Sequence, residues 1–114
     1  MTLEERVVGS AVVVDISGRL VLDDGDSALK EKVNALLKLG NLRVVLNVAE
    51  VSYVDSAGLG ALVSSFLAAK NQGCALRLLS PSKRLQDLLA MSRLLTIVRV
   101  CESEEQALAS FETP

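Results

Sequence analysis

Two short β-branched runs open the chain, Val7-Val8 and then Ala11-Val12-Val13-Val14 with Ile16, and the Gly9-Ser10 pair between them predicts a hairpin. Gly18 is expected to close the second run. After an acidic, glycine-containing loop, Asp23-Asp24-Gly25-Asp26, the residues Leu29, Val33, Leu36 and Leu37 recur at helical spacing and predict a first helix. The acidic start suits the positive end of the helix dipole, and Gly40 can take the left-handed conformation that ends a helix. Val44-Val45-Leu46-Asn47-Val48 is a continuous run instead of an alternating one, the pattern of a central strand covered on both faces. Residues 49–56 then read as a loop leading into a second, apolar helix that runs to Lys70 and ends near Gly73.

The alternation continues to the end of the chain. Residues 75–79 predict a fourth strand, Ser80-Pro81-Ser82 a turn and helix start, Leu85, Leu88 and Leu89 the face of a third helix, and residues 97–100 a fifth strand. Ser103-Glu104-Glu105-Gln106 has capping-box spacing, and Ala107, Leu108 and Phe111 follow it as the stripe of a fourth helix. A hairpin followed by alternating helices and strands predicts one α/β domain over residues 1–114, a mixed, mostly parallel sheet of about five strands with about four helices. In such sheets the loops beyond the carboxyl ends of the strands gather at one edge. Here these are residues 23–26, 49–56 and 80–82.

Composition narrows the chemistry. With 50% hydrophobic residues among 114, a single core can form, and disorder is excluded as a global description. The net charge of -2 and 3% aromatic content supply neither the cationic field nor the stacking rings that nucleic acids require. The absence of histidine removes Ser/His/Asp and Cys/His catalysis and histidine-containing zinc sites, so no catalytic residue, metal or cofactor is expected. Cys74 and Cys101 form no C-x-x-C pair and read as reduced, packed thiols, with a bridge between them left open. Residues 1–6 lack a basic segment followed by an apolar one, which points away from a secretory signal and towards a cytoplasmic location. The longest apolar stretch, residues 57–69, is broken by Ser64 and Ser65 and is shorter than the ~20 residues that span a bilayer. It predicts a buried helix and no membrane association.

Asp55-Ser56 stands where a loop becomes that helix, within reach of its first free N–H groups, and helix capping alone accounts for such a pair. Gly58 and Gly60 are harder to place. Each costs up to ~1 kcal/mol relative to alanine in a helix, so a bare backbone is required there, by a neighbouring element or by a partner. Leu59, Ala61, Leu62, Val63, Phe66, Leu67, Ala68 and Ala69 spread apolar side chains around most of the helix. Such a helix is either sandwiched within its domain or keeps a face for another protein, and the small size of the chain favours the partner.

The segment Val48-Ala49-Glu50-Val51-Ser52-Tyr53-Val54-Asp55-Ser56-Ala57-Gly58-Leu59-Gly60-Ala61-Leu62 resembles the signature of STAS domains, specifically the bacterial anti-sigma factor antagonists. The likeness extends to Gly18-Arg19-Leu20, Leu46-Asn47, Ser80-Pro81 and Gln106-Ala107-Leu108, while Asp-Ser-x-Gly-Leu-Gly is its specific part. The resemblance implies partner switching. The unphosphorylated form binds an anti-sigma factor that is also a serine kinase, the sigma factor is released, and the kinase then phosphorylates the antagonist. A metal-dependent serine phosphatase restores the binding form. The residue matching the phosphoacceptor is Ser56, and the domain is a substrate and a ligand, not an enzyme. Partner contact is expected from Asp55, Ser56, Ala57, Gly58, Leu59, Gly60 and Val63, with Asp23, Asp24 and Ser82 in second rank.

Two positions depart from the family pattern. Ala57 stands where relatives often carry a second hydroxyl, leaving Ser56 alone at the immediate site, and Val21 stands where they commonly carry an acidic residue. Phosphate on Ser56 adds about -1.5 to -2 charges beside Asp55, yet at a helix N-terminus that favours an anion by ~0.3 to 2 kcal/mol. The switch is therefore expected in binding and not in folding. The alternatives are a STAS-like scaffold or transporter-associated subunit in which Ser56 merely caps its helix, and an enzyme with Ser56 as nucleophile, for which no histidine base exists.

Overall fold

The opening β-branched runs pair as an antiparallel hairpin, β1 (Thr2–Val8) with β2 (Ala11–Leu20), in the computed structural model, which describes residues 1–41 and 43–111. The chain continues through α1 (Asp26–Lys38), β3 (Arg43–Val54), α2 (Ser56–Asn71), β4 (Ala75–Leu79), α3 (Lys83–Met91), β5 (Val100–Cys101) and α4 (Glu104–Ser110). The strands form one sheet in chain order, β1-β2-β3-β4-β5, and every pairing after the hairpin is parallel.

Strand alternation divides the apolar side chains between the two faces. Val12, Val14, Ile16, Val44, Leu46, Val48, Leu76 and Leu78 meet Leu29, Val33 and Leu36 of α1, Ala61, Leu62 and Phe66 of α2, and Leu85 and Leu89 of α3 in the larger core. Val13, Val45, Leu79 and Cys101 meet Ala107 of α4 on the opposite face. Continuous apolar runs in β2 and β3 follow from this double coverage. Both cysteines are free, Cys74 half-buried and Cys101 buried. On the outer border of the hairpin, Arg6 bonds both Asp15 and Glu104, which fastens β1 and β2 to the start of α4.

Three sequence expectations need correction. Gly18 does not close β2. At φ +99° it lies between two register shifts, a bulge that bends the strand and lets it run on to Leu20. Residues 49–54 are consequently not a loop. The lengthened β2 offers them partners, Ser17 opposite Glu50, Arg19 opposite Tyr53 and Leu20 opposite Val54, so β3 persists to the edge of α2. Residues 97–99, in turn, are not strand. A 3₁₀ turn at Leu94–Thr96 commits the N–H groups of Ile97 (2.9 Å) and Val98 (2.8 Å) to the Leu94 carbonyl, and β5 begins only at Val100.

Candidate functional site

The carboxyl ends of β2 and β3 and the start of α2 meet at Asp55. One carboxylate oxygen accepts the N–H of Gly58 (2.8 Å), which caps α2, and the other accepts the N–H of Leu22 (3.0 Å) in the loop after β2. Its own N–H donates to the Leu20 carbonyl (3.3 Å). These donors, Leu22 first and then Gly58, stabilise the ionised form and hold the Asp55 carboxyl below its ordinary value. One side chain thus clasps a helix, a strand end and a loop together.

The clasp explains one glycine. A Cβ on Gly58 would overlap the Leu20 carbonyl, a backbone group that cannot swing aside, so the close approach at Gly58 is to β2 of the same chain. Gly58 is buried, and β2 of the same chain accounts for its bare backbone. Gly60 is exposed, and a Cβ there would meet open space.

Ser56 is the first residue of α2 and is exposed. Asp55 is the cap, so the reading in which Ser56 caps the helix is overturned. Among the described residues the Ser56 hydroxyl makes no hydrogen bond. Ala57 beside it is half-buried. The sequence pair therefore divides its labour: the carboxylate is consumed by the fold and the hydroxyl is left in solvent.

The wide apolar circumference of α2 also has an internal explanation. Ala61, Leu62, Phe66 and Ala69 are buried in the larger core, Leu59, Val63 and Ala68 pack partly against it, and α1 lies along the helix. Leu67, at 43% exposure, is the apolar residue that the sandwich leaves most open. The exposed part of the helix thus narrows to one stripe at helical spacing, Ser56, Gly60, Ser64, Leu67 and Asn71.

In the loop between β2 and α1, Val21 is buried and exchanges backbone bonds with Asp24 (3.3 and 3.1 Å). Asp23 adopts φ +61° and donates its N–H to Asp26 (3.2 Å), while the Asp24 carboxylate lies 3.3 Å from the terminal amino group. Asp23 and Asp24 are exposed, and the Asp55–Leu22 bond ties their loop to the start of α2. Ser82 lies elsewhere on the same edge, where it caps α3 by accepting the Leu85 N–H (3.1 Å) and borders a small cleft with Val51, Ser52, Tyr53 and Arg84.

That cleft contains a feature the sequence reading missed. The Tyr53 ring, 41% exposed, is approached by Arg19 at 6.0 Å and Arg84 at 5.4 Å from its centroid, within cation–π range. Neither guanidinium has an ion-pair partner among the described residues. The edge that presents Ser56 therefore carries carboxylates on one loop and guanidiniums around an exposed aromatic. No group of three or more metal-ligating side chains occurs among the described residues, and none of their helices is long and apolar enough to cross a membrane.

The chain is similar in sequence and fold to known proteins. The STAS domain family model matches residues 2–107. The anti-sigma-B factor antagonist of Bacillus subtilis is 35% identical over 95 residues, covering 82% of this chain and 84% of its own. Among solved structures, the Thermotoga maritima protein TM1081 superposes with a TM-score of 0.89 at 20% identity, over 97% of this chain and 95% of its own. The Bacillus cell fate determinant SpoIIAA in its phosphorylated form superposes with a TM-score of 0.74 at 20% identity, over 96% and 99%.

Proposed function

The chain belongs to the STAS domain family, and from that premise we propose that it is an anti-sigma factor antagonist, docking on an anti-sigma factor while Ser56 is unmodified and releasing it when Ser56 carries phosphate. The observation that carries this reading is the contrast between two adjacent residues. Asp55 has both oxygens engaged by backbone donors, whereas the Ser56 hydroxyl is exposed and unbonded at the start of the helix. A kinase can reach that oxygen without unfolding anything. The B. subtilis relative, an anti-sigma-B factor antagonist, and the existence of a phosphorylated SpoIIAA of the same fold support the assignment.

The switch follows from electrostatics. Phosphoryl transfer from a nucleoside triphosphate forms an Oγ–P bond on Ser56, breaks the bond to the leaving nucleoside diphosphate and releases the hydroxyl proton. The new dianion faces the N-terminal dipole of α2, which tolerates it, and the fold persists. A partner seated over the first turn meets added bulk and charge, and mismatched charge at an interface costs several kcal/mol. Hydrolysis by a serine phosphatase returns the hydroxyl. The chain itself acts as ligand and substrate of a cytoplasmic kinase and phosphatase, with Ala57, Leu59, Gly60 and Val63 nearest the switch along α2 and Asp23, Asp24 and Ser82 on neighbouring loops.

Incubation with the cognate anti-sigma kinase and ATP should add one phosphate, mapped to Ser56 by mass spectrometry. Ser56→Ala should bind that kinase constitutively and Ser56→Asp more weakly, at unchanged thermal stability. Equal affinities of the two variants, or no modification at Ser56, would leave a non-phosphorylated scaffold as the better description.

A further inference from the structure

β1 is an outer strand of the sheet, and its free side is bare. Thr2, Glu4, Glu5, Arg6 and Val7 are all exposed, so neither helix layer covers this border, and Val7 is an apolar side chain at 79% exposure. Among the described residues β1 pairs with β2 alone, and no backbone bond reaches its other side. Such an edge offers its unpaired backbone groups to any extended segment unless its side chains select among them.

The hairpin decides which groups face outwards. Its two-residue turn, Gly9-Ser10 with Gly9 at φ +59°, makes Val8 and Ala11 a hydrogen-bonded pair. By antiparallel alternation Thr2, Glu4, Arg6 and Val8 then direct their N–H and C=O groups at β2, whereas Leu3, Glu5 and Val7 direct theirs away from it. Side chains alternate as well. Glu5 is bonded by Lys32 of α1 (2.6 Å) and Leu3 packs against the larger core, while Arg6 is bonded to Glu104 of α4 (2.6 Å) and Val8 packs against the smaller one. Leu3, Glu5 and Val7 therefore share the α1 face of the strand, and Thr2, Glu4, Arg6 and Val8 the α4 face.

We infer that β1 is the contact of a homodimer, in which two copies pair antiparallel about Glu5 and join their sheets into one. In this register Leu3 and Val7 exchange backbone bonds with the second copy's Val7 and Leu3, and Glu5 with its Glu5, so all three outward-facing residues are satisfied. The facing side chains also match. Glu4 meets the second copy's Arg6, twice by symmetry, and Leu3 covers the bare Val7. Glu4 has no ion-pair partner among the described residues, and Arg6 gives Nε and Nη2 to Asp15 and Glu104, which leaves Nη1 for it. The like charges at the centre, Glu5 against Glu5, are each bonded by a Lys32. Other registers are worse. A slip of one residue sets outward groups against inward ones, and a slip of two sets Glu4 on Glu4 or Arg6 on Arg6. The charges that repel a strand of another sequence thus admit a second copy in one register.

Sedimentation velocity of the full chain, from micromolar to millimolar concentration, should show a monomer–dimer equilibrium that stops at the dimer. Glu4→Arg, at an exposed position, should weaken it at least about tenfold, and so should Arg6→Glu, because each sets like charges opposite one another. An equimolar mixture of these two variants restores both opposite-charge pairs and should return dimerisation to within about threefold of the parent. Arg6→Glu also gives up the bonds to Asp15 and Glu104, so its melting curve is recorded beside the parent's. Val7→Pro supplies a second route. It removes an N–H that the monomer leaves unpaired, and should abolish the dimer while the fold persists. A monomer at every concentration, assembly beyond the dimer, a dimer indifferent to Glu4→Arg or Val7→Pro, or no recovery on mixing the folded variants overturns the inference.

Discussion

At the carboxyl ends of β2 and β3 the strands stay paired to Leu20 and Val54, and Asp55 then binds Leu22 and Gly58; at the β4–β5 border two residue pairs form before the strands part. The two regions belong to one sheet and share α2, yet they solve opposite problems. In the first, Asp55 ties a strand end, a loop and a helix together, so the Ser56 hydroxyl is displayed at a fixed place without itself supporting the fold. In the second, backbone pairing lapses, and side chains of α2 and the 3₁₀ turn surround a gap. Committed bonds hold an exposed group in a fixed place, and missing ones open a cleft.

Substitutions can break this contrast, beginning with the largest effect. Leu20→Ala, at a fully buried position beneath the clasp, should cost about 2–5 kcal/mol, whereas Ile97→Ala at the open border should cost less than about 1.5 kcal/mol; urea denaturation of both measures the difference. Similar losses at the two positions would deny that the regions differ in packing. Gly58→Ala, forced against the Leu20 carbonyl, should cost about 1–3 kcal/mol in the same assay.

The Asp55 clasp sharpens the comparison through pH. Its carboxyl is depressed in the folded chain, so its contribution is complete above the ordinary carboxylate value of about 3.9 and is lost as the pH falls through the lower folded value. The difference in melting temperature between the parent chain and Asp55→Asn should therefore be widest near neutrality and close at lower pH. Subtraction cancels Asp15, which Arg6 also holds low. A gap of constant size down to pH 3 would show that charge is not its source.

Smaller effects follow. Gly60→Ala, with open space for its methyl group, should stabilise the chain by up to about 1 kcal/mol, opposite in sign to Gly58→Ala. Ser56→Asp should shift stability by no more than about 0.5 kcal/mol in either direction, since the side chain is exposed at a helix start. A large loss there would mean that the hydroxyl supports the fold after all.

Much of this was legible in advance, and the misses share a cause. The runs in β2, β4 and the first half of β3 are buried on both faces and read directly as strands. The second half of β3 is largely exposed, so its apolar pattern fades although its backbone remains paired. Residues 97–99 looked like strand because they are β-branched and apolar in part, but the preceding turn takes the donors of Ile97 and Val98. At the site, Asp55 and Ser56 stood out as a pair, and their different fates depended on where Leu22 lies. The Arg19–Tyr53–Arg84 grouping had no local signal, since it joins three elements and rests on a register set by the Gly18 bulge.

Strand order in this sheet equals chain order, so each strand finds its neighbour among residues already synthesised. A nascent chain can add β2 to β1, β3 to β2 and β4 to β3 as each emerges from the ribosome, without waiting for a distant segment. The exception is Arg6, whose contact with Glu104 spans 98 positions at 2.6 Å. β1 thus acquires one of its companions only after a further 98 residues have been synthesised.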